Sequence, residues 1–182
     1  MDEGILTESI DSAEKAESLS PDEFVYRLCL IGSRDRKNKE IPALNNFEPT
    51  NRDKLDGISV DAANLTSPEM SLAILGAQYK KNTTEFKDFS TREIYPLLTG
   101  YILKLPKIKD VIHNPIYIND PPIGSPNNKA HSLIRFTSFD FEDTPELILK
   151  MRDHAVSNGK VHVNMAEVEK IALELREHPN NA

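Results

Sequence analysis

In "AHSLIRF", residues 130–136, two sets of side chains alternate with a period of two, and the same alternation returns in "DGISVD" and "DVIHNPIYI". A strand turns successive side chains to opposite faces, so each segment offers one apolar face and one more polar face. In the last segment Ala130, Ser132, Ile134 and Phe136 form the set expected against a core, and His131, Leu133 and Arg135 form the other. Likewise Ile112, Ile116 and Ile118 oppose His113 and Tyr117, and Ile58 and Val60 oppose Ser59 and Asp61. If the three strands share one sheet, Ser59, Asp61, His113, Tyr117, His131 and Arg135 line one surface.

A fourth segment behaves differently. "FVYRLCLI", Phe24 to Ile31, is apolar on both parities, as in a strand buried on both faces. Its one charge, Arg27, needs a partner or a ligand among such neighbours, and it joins the candidate surface on that ground. "YILKLP" from Tyr101 adds a further strand candidate, and "KVHV" from Lys160 a short one.

Helix signals fall between the strands. Thr66 with Glu69 reads as a capping box, with Pro68 in the first turn and Met70, Ile74, Leu75 and Ala77 as the buried stripe. Ser90 with Glu93 reads as a second box, opening a short helix that ends near Gly100 despite Pro96. Thr144 and Pro145 start a third helix that Gly159 stops. Asn164 and Glu167 cap a C-terminal one, whose face carries Met165, Val168, Ile171, Ala172 and Leu175. The mixed order predicts an α+β fold: a mixed or mainly antiparallel sheet with three to four helices, including the C-terminal one. Residues 32–40 read as a polar turn, and the segment from there to about Leu55 as an irregular excursion.

Charge divides the chain. Residues 1–23 hold eight acidic side chains and one basic one, whereas the remainder holds 21 of each. The net charge of −7 therefore sits in the N-terminal stretch, and the neutral body gives no indication of nucleic-acid binding. We expect an acidic, flexible tail over 1–22 and a single domain over 23–182. Within the tail Leu6, Ile10, Ala13, Ala16 and Leu19 recur at helical spacing, which suits a segment that folds against a partner. The lone Cys29 lies in an apolar run, the N-terminus has the wrong charge for a signal peptide, and no apolar run is long enough to span a bilayer. A cytoplasmic protein with no membrane association is expected.

Chemical motifs are sparse. No Cys/His spacing matches a zinc site and no Gly-rich phosphate loop occurs, so neither a metal nor a cofactor is expected. Asp140 and Glu142 in "FDFED" read as a polar lead-in to the third helix rather than a metal pair.

"VYR", "DGISV" and "PP…NNKAHSLI", spanning roughly Tyr26 to Phe136, resemble a group of small bacterial proteins with an Asn-Pro-Ala-His-Ala strand entry. Lys129 stands where that pattern has proline, and Ser132 where it has alanine. The resemblance implies a bacterial origin and adds weight to His131, but it carries no activity. The early Tyr26-Arg27 strand is also similar to ADP-ribosyltransferase-like folds, whose remaining signature is absent.

Two functions are consistent with these features. The first is a small protein-binding module, one component of a bacterial multi-gene system such as a defence or toxin-related one, which meets a protein partner through its tail. The second is a small enzyme for a nucleotide or NAD-like ligand. There Arg27 holds a phosphate, His131 acts as general base or orienter, Tyr117 or Ser59 assists, and Ser59, His113 and Arg135 contribute to binding. The alternative to any such site is a solvated sheet face, which carries the same residue types with no chemistry. A site requires Arg27, His113, Tyr117 and His131 to converge beneath the Asp120–Asn128 loop.

Overall fold

A computed structural model describes residues 17–50, 53–117, 125–137 and 144–182. Its strands are β1 (Phe24–Leu30), β2 (Ile58–Ala62), β3 (Arg92–Leu98), β4 (Ile108–His113) and β5 (His131–Phe136). They form one sheet in the order β3-β1-β2-β5-β4, and every neighbouring pair is antiparallel. Three helices exceed one turn: α2 (Pro68–Gly76), α4 (Thr144–Ser157) and α5 (Met165–Glu177). Asp53–Asp56 (α1) and Thr99–Ile102 (α3) are single turns. The architecture is α+β, as the mixed order of elements predicts.

Both faces of the sheet are covered. On one, Val25, Cys29, Ile58, Val60, Val111 and Ile134 pack with Phe47 and with Leu147, Ile148, Met151 and Ala155 of α4. Removing each large aliphatic group there from water contributes roughly 1.5–3 kcal/mol. On the other, Tyr26, Leu28 and Ile94 meet Leu72, Ala73 and Ile74 of α2 and Val168, Ala172 and Leu175 of α5. Helix α2 packs against both α5 and the sheet residues of this cluster, which is why five of its nine residues are buried rather than a single stripe. Its cap is Ser67, one residue after the expected Thr66: the Ser67 hydroxyl accepts from the Met70 N–H at 3.1 Å.

Two segments differ from the sequence reading. Residues 92–98 are strand β3, not a helix. Asp88 caps a one-turn 3-10 segment ahead of it, and Glu93 reaches Arg34 and Lys160 instead of a helix start. Pro96 is tolerated because β3 is an edge strand, and its carbonyl accepts from the Asn158 side chain. "YILKLP" is helical turn and loop, with Ile102 and Leu105 buried at a spacing of three. "KVHV" forms no ladder. Val161 N–H donates to Ile94 O at 3.0 Å.

The excursion after β1 is pinned by Asn46, whose side chain accepts from Leu30 N–H and donates to Ser33 and Ala43 carbonyls. Residues 17–19, expected to be flexible, pair along β4 instead. Ser18 lies opposite Ile112, Leu19 N–H donates to Val111 O, and His113 N–H donates to Glu17 O. The rest of the expected tail, 1–16, lies outside the described residues, as do Asp140 and Glu142.

Candidate functional site

Register decides which candidates can meet. Asp61 pairs with His131, and Ser59 with Leu133, so Ser59, Asp61, His131 and Arg135 share the face that carries α2. His113 pairs with Ser132 and Val60 pairs with the same residue, which places His113 on the opposite face. Arg27 alternates with Tyr26, the partner of Asp61, and so also lies opposite His131. The expected convergence of Arg27, His113 and His131 does not occur. It fails because one residue of offset in a strand reverses every side chain, and the sequence fixes no inter-strand register.

Arg27 serves the backbone. Its Nε donates to Asn46 O and its Nη1 to Ser59 O, both at 2.8 Å. Burial lowers the guanidinium from its ordinary pKa, and nearby Cys29 and Asp53 act against that effect. The ring of His113 bonds to the carbonyl of Lys129, tying the end of β4 to the entry of β5. Arg135 spends its fork on Asp110 in two parallel bonds of 2.7 and 2.6 Å. Tyr117 lies beyond β4 and is 47% exposed.

His131 is held at both ring nitrogens. Nδ1 donates to the Asn114 carbonyl at 2.6 Å, and Asn114 N–H donates back to His131 O. A carbonyl can only accept, so the proton sits on Nδ1 in the neutral ring. Nε2 is left as an acceptor facing the Ser59 hydroxyl at 3.3 Å. Ser59 is exposed while His131 is buried.

A buried polar contact that the sequence reading did not make, between Asp61 and Asn128, lies beside this pair. Asp61 Oδ1 accepts from the Asn128 side-chain amide at 2.8 Å. Burial raises the Asp61 carboxyl above its ordinary value, against the opposing effects of Asn128, the Ser71 hydroxyl and His131. The Ser71 hydroxyl is buried with no partner inside hydrogen-bond geometry. Asn128 also exchanges backbone bonds with Ile116, and Asn127 donates to the Pro179 and Asn180 carbonyls. The described end of the "DPPIGSPNN" loop is thus a structural clasp, with Pro179 and Asn180 joined to it from the C-terminal segment. Residues 118–124 lie outside the description. The only sequence signal for the clasp was the paired asparagines.

Two cavities bear on the candidates: one, of about 320 Å³, lies between Ser67, Met70 and Ile74 of α2 and Asn128, Lys129 and Ala182. The other, of about 660 Å³, is lined by Pro21, Leu98, Tyr101, Lys104 and His154 among others. None of the seven candidates lines either. Among the described residues no group of three metal-ligating side chains occurs, and no helix is long and apolar enough to cross a membrane. No protein-family model matches the chain, and no curated protein and no solved structure matches it.

Proposed function

We propose that the protein is a protein-binding module that acts in the bacterial cytoplasm as part of a multi-gene system and offers its acidic N-terminal stretch to a basic surface of its partner. The observation that carries this reading is the pairing of residues 17–19 along β4. It roots the acidic stretch on a sheet edge, while the body beyond residue 23 is neutral. Attraction between such a stretch and a basic partner speeds encounter and weakens as salt screens it. The ligand reading through Arg27 and His131 loses its geometry, since the two face away from each other.

The test compares partner recovery by the full chain and by a chain lacking Met1–Ala16. Recovery of a defined partner should fall about tenfold on deletion, and should weaken with the full chain as salt rises from about 50 to 300 mM. Equal recovery by both chains rejects the reading.

A further inference from the structure

We propose that Ser59 and His131 form a nucleophile–base pair that cleaves small, uncharged carboxylic esters. This goes beyond the binding reading and rests on different residues.

Three observations carry it. The Asn114 carbonyl fixes the imidazole tautomer and its orientation, as the third member of a hydrolytic triad does. The remaining ring nitrogen faces the Ser59 hydroxyl at 3.3 Å, a separation common before a substrate tightens such a contact. Ser59 is an exposed residue while His131 is only 9% exposed, so the base is more sheltered than the nucleophile. An ordinary surface serine lacks an oriented base behind it.

The neighbours define the substrate. Directly across the ladder from Ser59 is Leu133, an apolar flank for an acyl or alkyl group. Arg135, the cation on the same face of β5, is committed to Asp110. Asp61 stands opposite His131 in the register, so no free cation for an anionic substrate comes from that position either. An uncharged ester suits these surroundings better than a phosphate or a free carboxylate. Ser59 lines neither of the two cavities described above, so slow turnover is expected.

The step balances without a co-reactant. Ser59 Oγ bonds to the ester carbonyl carbon as His131 Nε2 takes the hydroxyl proton. Collapse of the adduct breaks the bond to the alkoxy oxygen, which leaves as the alcohol with that proton. Water then bonds to the acyl carbon as the same nitrogen takes its proton; the bond to Ser59 Oγ breaks, that proton passes to Oγ, and the acid leaves.

The test treats the full chain with a fluorophosphonate probe and, separately, with p-nitrophenyl acetate, and locates the adduct by peptide mass. Wild type should carry the phosphonate on Ser59, and Ser59→Ala should carry none there. His131→Gln should react at least about tenfold more slowly while melting as a folded protein. Added imidazole should restore the rate to a His131→Ala chain, which a merely structural histidine would not allow. Absence of a Ser59 adduct in wild type overturns the proposal whatever the variants do, and so does an equal labelling rate in folded His131→Gln.

Discussion

Asn128 donates its side-chain amide to the buried carboxylate of Asp61 across 67 positions of sequence, at 2.8 Å. The Asn128 Oδ1 accepts from Ala130 N–H, so the amide is held from both ends. Strand β2, the entry to β5 and the end of the preceding loop meet in that one contact. Replacing Asn128 with alanine leaves a buried carboxylate without its donor, which should cost about 1–3 kcal/mol. Urea unfolding measures it, and a loss below roughly 0.5 kcal/mol would show the clasp to be incidental.

Asp61 also predicts a pH dependence. Its folded pKa is raised by burial above the ordinary 3.8, so the folded state binds the proton more tightly than the unfolded chain does. The contribution of Asp61 to stability is therefore greatest below 3.8 and is lost as pH rises through the folded value. Asp61→Asn keeps an oxygen for Asn128 and removes the titration. Melting temperatures of variant and wild type should diverge in favour of the variant as pH rises from about 3 to 7. Parallel profiles would contradict the assignment.

Cys29 should be chemically silent in the folded protein. Burial pushes its thiol up to about 12, and 1% of its surface is exposed. Iodoacetamide needs the thiolate, so alkylation near neutral pH should be at least about a hundredfold slower in the native protein than in urea. Comparable rates would place Cys29 outside the core.

Arg27 tests the reassignment from ligand contact to scaffold. Arg27→Met keeps the apolar stem and withdraws the donors to Asn46 O and Ser59 O. The expected loss is about 2–4 kcal/mol, with no change in thermal response to inorganic phosphate. Phosphate protection seen in wild type and absent from the variant would restore the ligand role.

Parts of the candidate site were legible in the residues themselves. Ser59 with Asp61 on β2, and His131 with Arg135 on β5, each share a face as their alternation implied, because strand geometry fixes parity within a segment; that the two pairs lie on the same face is the register's doing. Arg27 and His113 were misplaced because parity cannot be carried from one strand to the next without the register. Asn128 was read as part of a rim, and its role as a donor to Asp61 depends on a contact that no local pattern encodes.

The division is the same for the fold. Local chemistry determined β1, β2 and β5, the long helices α4 and α5 with the Asn164 cap, and the stop at Gly159, where φ is +80°. Those features depend on side-chain period, capping oxygens and backbone sterics within a few residues. Tertiary structure decided "STREIYPLLTG": a cap-like Ser90 and Glu93 are outweighed by seven register positions against β1 and by ion pairs from Glu93 to Arg34 and Lys160. It also decided that both sheet faces are covered and that residues 17–19 lie along β4. Each of these is a competition between distant segments for the same backbone donors and apolar surface, and its outcome depends on the whole assembled core rather than on any one stretch of the chain.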